Sequence, residues 1–292
     1  MIAVAPRDLL LLVGITLIWG LNLIVSKVGV SEFPPITFTV MRFAVVGILL
    51  MPFLKFRAGQ MSALVVAGVL SSGLQFALNF SGISLADNVS SLAIVSQLGV
   101  PFTTLLGVAL LGEVVRWRRW TGIVLSFAGV LVIGLDSDLV RHWRAIVLVA
   151  SSAFVASLGL IAVKKLQGFK PLELQSWFAW VSLPVLVPLA IGLERPTVET
   201  FTHASLNAWG ALAFTAIASS IVAHTCYYHL VQRYPVTSVA PLTVLSPIFS
   251  LIFGVLLLNE HLSGRMLLGT GLTLAGVVII TLRERRIVDT GS

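Results

Sequence analysis

A small set of polar side chains lies inside the long apolar stretches of this sequence, and these residues could bind a ligand. A polar group in apolar surroundings is costly unless it has a partner, so such residues are candidates for function. In the first half of the chain the candidates are Trp19, Asn22, Arg42, Gln75, Asn79 and Gln97. In the second half they are His224, Tyr227 and Tyr228.

Arg42 is the most informative candidate. No Asp or Glu lies well inside an apolar stretch to pair permanently with its guanidinium. An arginine in this position could hold the carboxylate of a ligand through two parallel hydrogen bonds. The alternative is that Arg42, about two turns into its segment, extends to the membrane interface or binds helix-end carbonyls. Lys27 lies nearer a segment boundary, and for Lys27 the interfacial position is the expected one.

The other polar candidates each have a functional and a structural interpretation. His224 titrates near neutral pH and is therefore the candidate for coupling to protons, whereas the alternative is a hydrogen-bonded interior histidine. Asn22 and Gln75 can each donate and accept hydrogen bonds, which suits zwitterions and amides. Interhelical hydrogen bonds explain these two residues equally well.

The composition places these residues in a membrane protein. Of the 292 residues, 57% are hydrophobic and 11% are charged, and the mean hydropathy is +1.01. Soluble domains carry about a quarter charged residues, so this chain cannot cover itself with polar side chains. A spanning helix needs about 20 mostly apolar residues. Ten such segments are predicted, at 8–27, 35–53, 62–84, 87–111, 119–135, 144–163, 173–193, 207–230, 235–258 and 264–283.

Helix is the expected element in every segment. Lipid leaves the backbone no partner but itself, and the runs are continuously apolar rather than alternating as barrel strands do. The predicted fold class is therefore all-α: a polytopic membrane protein of ten transmembrane helices whose partner is the lipid bilayer.

The formal charge of +7 is spread over short loops, so it indicates topology and not a nucleic-acid partner. Lys and Arg number 13 on the side of the termini and 5 on the other side, with Arg42 inside a span. This bias predicts that both termini are cytoplasmic.

An internal repeat divides the chain. At an offset of 147 residues, positions 89–133 match positions 236–280. The matched residues that carry most weight are the pairs Gly107 and Gly254, Glu113 and Glu260, Arg118 and Arg265, Gly122 and Gly269, and Gly129 and Gly276. We therefore predict two repeats of five helices, at 1–138 and 139–292. Because five is odd, the second repeat runs through the membrane in the opposite direction, and inverted repeats are typical of secondary transporters.

Prolines interrupt the fourth and ninth segments at nearly corresponding positions. Pro101 lies in the fourth segment, and Pro241 and Pro247 lie in the ninth. Interrupted helices in corresponding positions of two repeats indicate a site near the bilayer midplane. Prolines also occur in membrane helices as packing kinks, so both interpretations stay open.

Several motifs resemble those of one transporter family. They are W-G-L-N-L-I-V-S-K-V-G from Trp19 to Gly29, the M-R-F segment that contains Arg42, R-Y-P-V-T-S-V-A-P-L from Arg233 to Leu242, and L-L-L-N-E-H-L-S-G from Leu256 to Gly264. Over essentially the whole chain the sequence resembles EamA-type carriers of the drug/metabolite transporter superfamily, and within it the carriers of O-acetylserine and cysteine. The resemblance implies ten helices in two inverted repeats, a central cavity, and efflux of amino acids or related metabolites. Asn259 departs from the acidic residue expected in the last motif.

Other classes of function are disfavoured. The chain has no G-x-x-x-x-G-K-[ST] phosphate loop and no H-E-x-x-H zinc pair, and Asp136 and Asp138 fall in a loop, so an enzyme is not expected. The buried polar set is too sparse for a channel.

We therefore predict a secondary transporter in a bacterial inner membrane. It is expected to export small polar metabolites, above all amino acids or their derivatives, by alternating access, with no cofactor and no metal and with protons as a further partner. The alternatives are a carrier of nucleobases, sugars or drug-like compounds, or a membrane scaffold that does not transport.

Overall fold

The structure is a computed structural model that describes residues 5–112, 114–115, 117–135, 142–163, 165–234 and 243–282. This described part of the chain is helical and contains no strand, as the sequence predicts. The α-helices are α1 (Pro6–Glu32), α2 (Pro35–Leu49), α3 (Met61–Gly68), α4 (Gln75–Leu85), α5 (Ser90–Ser96), α6 (Gly99–Leu111), α7 (Trp117–Gly134), α8 (Trp143–Val163), α9 (Pro171–Leu189), α10 (Val198–Thr202), α11 (Leu206–Ala213), α12 (His224–Arg233), α13 (Leu245–Leu258) and α14 (Gly264–Leu282). A 3₁₀ turn covers Met51–Phe53, and π-helical segments cover π1 (Val69–Leu74), π2 (Ala190–Glu194) and π3 (Phe214–Ala223).

Most of the predicted spans correspond to helices with the length and composition of a membrane crossing. In the described residues seven helices meet both requirements: Pro6–Glu32, Met61–Leu85, Ser90–Leu110, Trp143–Val163, Pro171–Glu194, Leu206–Tyr227 and Gly264–Thr281. Helices α2 and α13 are apolar but shorter, and α7 has 18 residues and begins with the sequence Trp-Arg-Arg-Trp. The chain is thus polytopic, and the count of ten spans stays a prediction.

The fourth predicted span is interrupted. Helix α5 ends at Ser96 and α6 begins at Gly99, so Gln97 and Leu98 lie between two helices, just before Pro101. In the ninth predicted span α13 begins at Leu245, with Pro247 in its first turn; Pro241 lies outside the described residues. Leu98 and Leu245 correspond at the repeat offset of 147, so α6 and α13 begin at nearly equivalent places.

Two equivalent helix ends have the same backbone conformation with different residues. Gly112 ends α6 with φ +66°, and Asn259 ends α13 with φ +53°. Glycine and, less readily, asparagine adopt this left-handed conformation, which lets the amide after a helix bond back to a carbonyl in its last turn. The Asn259 departure therefore preserves the turn.

The chain folds into two compact units. The first consists of Met1–Ile24, Asn88–Trp143 and Cys226–Ser292, and the second consists of Val25–Asp87 and Arg144–Thr225. Each unit takes helices from both halves of the sequence. The repeats at 1–138 and 139–292 are therefore units of sequence, and they stay a prediction as domains.

In the first unit, α7 crosses α14 and contacts it. The contact is made by small residues at equivalent positions of the two repeats. A Cβ atom placed on Gly129 would lie 2.5 Å from the carbonyl oxygen of Gly269, and one on Gly276 would lie 2.5 Å from that of Gly122. Close approach of this kind requires small residues. Gly122 and Gly269 are repeat equivalents, as are Gly129 and Gly276, so the two helices run antiparallel and meet at equivalent positions.

In the second unit, α2 and α9 also pack antiparallel. The Trp180 Nε1 donates to the Gly47 carbonyl at 3.1 Å, and the Ser176 hydroxyl donates to the Leu50 carbonyl at 2.8 Å. At the other end of α2, the Glu194 carboxylate accepts the amide of Thr37 at 2.7 Å. This carboxylate caps the start of α2, where backbone amides lack intrahelical partners.

Candidate functional site

Arg42 is held inside the second unit by a hydroxyl group. Its side chain belongs to α2 and is only 1% exposed. The Nε and Nη2 atoms donate to the Ser220 Oγ at 3.0 and 2.8 Å. The interpretation in which Arg42 reaches the membrane interface is therefore wrong, and the helix-end alternative is not observed, because the acceptor is a side-chain hydroxyl.

The remaining faces of the Arg42 guanidinium meet aromatic rings. Its Cζ lies 4.4 Å from the centroid of Phe76 and 5.4 Å from that of Phe80, both in α4. Such contacts stabilise a cation through the negative face of the ring. Among the described residues, no carboxylate lies within ion-pair distance of Arg42, and the buried Nη1 has no hydrogen-bond partner. The site thus holds a buried cation with one unused donor group.

A π-helical segment presents Ser220 to Arg42. Within π3 the Ser220 hydroxyl donates to the carbonyl of Thr215, five residues earlier, at 2.9 Å. π-Helical turns are rare and often occur at functional sites. Because the Ser220 oxygen donates along its own helix, it can accept from Arg42. Sequence reasoning missed Ser220, since nothing in the hydrophobic pattern distinguishes a π-turn from an α-turn.

His224 follows directly after π3 and is hydrogen-bonded. Its Nδ1 lies 2.7 Å from the carbonyl oxygen of Ser219, again five residues earlier. A carbonyl only accepts, so the Nδ1 carries the proton. His224 also lies about one helical turn beyond Ser220, the residue that binds Arg42. The interior hydrogen-bonded interpretation thus describes its environment, and its proton-coupling role stays a prediction.

Gln75 and Asn79 flank the aromatic part of this site. They lie four residues apart in α4, on one face of the helix, and each directly precedes one of the rings at Phe76 and Phe80. Both side chains are partly buried. The backbone carbonyl of Gln75 accepts the Ser152 hydroxyl of α8 at 2.9 Å, which ties α4 to α8.

The other candidates belong to the first unit. The rings of Trp19 and Tyr227 have centroids 5.2 Å apart and are inclined at 59°. Asn22 lies one turn beyond Trp19 in α1, and Gln97 lies at the break between α5 and α6. Tyr228 belongs to α12, but its side chain lies outside the described part. The structure therefore brings Arg42 together with the segment of Gln75 and Asn79 and with His224, and separately brings Trp19 together with Tyr227.

Lys27 is bound to the end of a neighbouring helix. Its ammonium group donates to the carbonyl of Ala86 at 2.6 Å, and to those of Ile83 and Ser84 at 3.2 and 3.3 Å. It therefore binds the C-terminal end of α4, where carbonyls lack helical partners and the helix dipole favours a cation. Helix α4 ends at Leu85, next to the predicted boundary of the third span at residue 84, so the interfacial interpretation of Lys27 stays a prediction.

The described residues contain no group of three or more His, Cys, Asp or Glu that could hold a metal ion. The site near Arg42 instead combines a buried cation, aromatic rings and a hydroxyl. Such a combination suits recognition of a small polar molecule by hydrogen bonds and charge.

Comparison with known proteins identifies the class of protein. The apolar helices are those of a polytopic helical membrane protein. The sequence matches the EamA-like transporter family over residues 7–135 and 143–282, and the chain belongs to this family. It is a multi-pass protein of the bacterial inner membrane.

Relatives support this assignment, and a solved structure shows the same fold. The chain is 29% identical, over 98% of its length and 99% of the relative, to a probable amino-acid metabolite efflux pump of Escherichia coli K12. It is 28% identical, over 94% of its length and 92% of the relative, to an uncharacterized inner membrane transporter of the same organism, YedA. A crystal structure of 19% identity has a TM-score of 0.64, covers 97% of this chain and 99% of that chain, and shows the same fold.

Proposed function

We propose that this transporter exports small carboxylate-bearing metabolites, namely amino acids or derivatives of the cysteine and O-acetylserine kind, by alternating access. The relatives named amino-acid metabolite efflux pumps support the substrate class. The observation that carries the proposal is Arg42, because its cation is buried, unpaired with any described carboxylate, and has a free Nη1.

A buried cation without a counter-ion is costly, and the usual compensation is a carboxylate. In this proposal the substrate supplies that carboxylate during the transport cycle. Phe76 and Phe80 cover the guanidinium, so the rings must move before a ligand reaches it. The described arrangement is therefore closed around Arg42.

We also propose ten spans in two inverted repeats, with both termini in the cytoplasm. The antiparallel contacts of α7 with α14 and of α2 with α9 support an inverted repeat, since each pair consists of corresponding helices. The third and eighth spans, which also correspond, both contain π-helical segments, π1 and π3. The excess of Lys and Arg on the side of the termini supports the orientation.

The test is uptake into liposomes that contain the purified protein, with matched substrates that differ in the carboxylate. Cysteine is compared with cysteamine, and serine with ethanolamine. We expect saturable uptake of the amino acid and little uptake of the amine. In Arg42→Gln the KM for the amino acid should rise about 10- to 100-fold, because hydrogen bonds to charged groups contribute roughly 1.5–3 kcal/mol.

The matched control is Arg195→Gln, which removes an exposed arginine and should leave the KM unchanged. An equal loss of cysteine and cysteamine transport in Arg42→Gln would mean that Arg42 stabilises the fold instead. If no amino acid is taken up, a panel of nucleobases, sugars and drug-like compounds tests the alternative carriers. The absence of any uptake would favour a scaffold.

Proton coupling through His224 is tested separately. If His224 exchanges a proton with the transport cycle, His224→Gln should retain downhill uptake and lose the response to an imposed proton gradient. Glutamine keeps a donor for the Ser219 carbonyl but does not titrate. An unchanged response to the gradient would exclude this role.

A further inference from the structure

A cavity on the second unit is separate from the Arg42 site. It measures about 460 Å³ and lies between α3 with π1 on one side and the end of α8 on the other. Its lining residues are Ser62, Ala63, Val66, Leu70, Leu158, Ile161, Ala162 and Lys165. A volume of several hundred Å³ is typical of a site for a small ligand or one chain of a lipid.

The shape of this cavity follows from how the helices cross. Helix α8 approaches π1 closely at Gly159, where a Cβ atom would lie 2.9 Å from the Ser71 amide nitrogen. Beyond this crossing the last turn of α8 and the first turns of α3 form the two walls of the cavity, which is open to the surroundings. From Ser62 to Leu70 it extends about 12 Å along the helix, at 1.5 Å per residue.

The lining changes from polar to apolar along this axis. Ser62 lies in the first turn of α3 and Lys165 lies two residues beyond α8, so both belong to the end of the spans. Val66, Leu70, Leu158 and Ile161 lie one or two turns farther into the spans. A molecule with a polar head and an apolar tail matches this order.

The positive charge of Lys165 indicates that the polar head of the bound molecule is anionic. At the same end of the unit, Lys55 and Arg57 are both paired with Glu173, at 3.3 and 3.1 Å. Lys165 is exposed and has no carboxylate partner among the described residues. The Gln167 amide donates to the Gln60 side chain at 2.9 Å, which links the two chain segments beside the cavity.

We infer that this cavity binds an anionic phospholipid of the surrounding bilayer, with the phosphate at Lys165 and one acyl chain along Val66, Leu70, Leu158 and Ile161. A lysine near the membrane surface contributes about 1 kcal/mol to the binding of anionic lipid. The apolar wall provides the contact for the chain.

Native mass spectrometry of the purified full chain tests this site, with an equal mixture of phosphatidylglycerol and phosphatidylethanolamine that have the same acyl chains. We expect preferential retention of phosphatidylglycerol. Lys165→Gln should reduce that preference about fivefold, and Lys165→Arg should restore it. Lys170→Gln is the control, because Lys170 is an exposed lysine of the same loop that does not line the cavity.

A second variant tests the acyl-chain wall. Ala162→Trp should fill the cavity and reduce the binding of both lipids, and monodisperse elution with an unchanged melting temperature shows that the chain still folds. Equal retention of both lipids by the native chain, or no effect of Lys165→Gln, contradicts the inference. A dimer that Ala162→Trp converts to monomer would also overturn it, since a second copy would then occupy the cavity. None of these results depends on transport.

Discussion

The two repeats carry equivalent residues at the crossing of α7 with α14, but they carry different residues at the position of Arg42. At the crossing, Gly129 contacts the backbone of Gly269 and its equivalent Gly276 contacts the backbone of Gly122, and Ser126 faces Thr273, its own equivalent at offset 147. At Arg42 the repeat offers no second arginine: with Pro35 and Pro171 aligned at the starts of α2 and α9, the equivalent of Arg42 is Phe178.

This difference separates the residues that stabilise the helix packing from the residue that could select the substrate. Close packing of two antiparallel helices is satisfied by the same small residues on both sides, so duplication preserves it. A buried cation is costly, and a single one is enough to bind a single carboxylate. Selectivity is therefore expected where the two repeats differ, and rigidity where they agree.

The largest effect is expected at the helix crossing. Gly129→Val should place side-chain atoms against the Gly269 carbonyl and lower the stability by about 3 kcal/mol or more, since overpacked sites resist expansion. Thermal unfolding in detergent measures this loss. The control is Gly271→Val, because a Cβ atom at Gly271 meets nothing within 4 Å. Equal melting temperatures for the two variants would show that the crossing is loose.

The next effect concerns Ser220, which positions Arg42. Ser220→Ala removes both hydrogen bonds to the guanidinium, and we expect the KM for carboxylate substrates to rise about tenfold with little change in maximal rate. Ser220→Thr keeps the hydroxyl and should restore the KM. The exposed Ser31→Ala is the control. A fall in maximal rate and melting temperature without a change in KM would assign Ser220 to the fold alone.

A smaller effect is expected from the aromatic wall of the site. Phe76→Leu keeps an apolar side chain but removes the ring that lies nearer to the Arg42 cation, while Phe80 remains. Cation–π contacts contribute roughly 0.5–2 kcal/mol. Because Phe80 still covers the cation, we expect the lower part of this range, which is a rise of about two- to fivefold in the KM for carboxylate substrates in the liposome assay. The same change for the matched amines would contradict a role for the ring beside the guanidinium.

The smallest effect tests how far the two repeats are equivalent. Asn259→Gly gives the end of α13 the residue found at Gly112, and it should raise the melting temperature slightly, because glycine adopts positive φ without strain. Gly112→Ala should lower the melting temperature by a similar or larger amount. If Asn259→Gly instead destabilises the protein, the Asn259 side chain has a role that the turn does not explain.

The positions of most helices along the chain were predictable from the sequence, because hydrophobicity and the charged, Pro and Gly residues that bound each apolar run are local features. The helices begin and end near the predicted segment boundaries in the described residues, and the break before Pro101 falls in the segment where it was expected. The polar residues inside the apolar runs, including Arg42 and His224, were also predictable, since polar side chains are rare there. Their burial was not predictable, because Arg42 is buried and His224 is partly exposed. The repeat itself is a property of the sequence.

The tertiary structure alone decided which of these residues meet. Arg42 and its partner Ser220 are 178 positions apart, and no local pattern connects them. The π-turns that place Ser220 and His224 cannot be recognised from the pattern of hydrophobic residues. A π-turn spans one residue more per hydrogen bond than an α-turn, but the two have no distinguishing composition. Lys27 binds the end of a helix whose residues lie 56 or more positions farther along the sequence. The sequence therefore determined which polar groups lie within the apolar helices, and the packing of distant helices determined their burial and their partners.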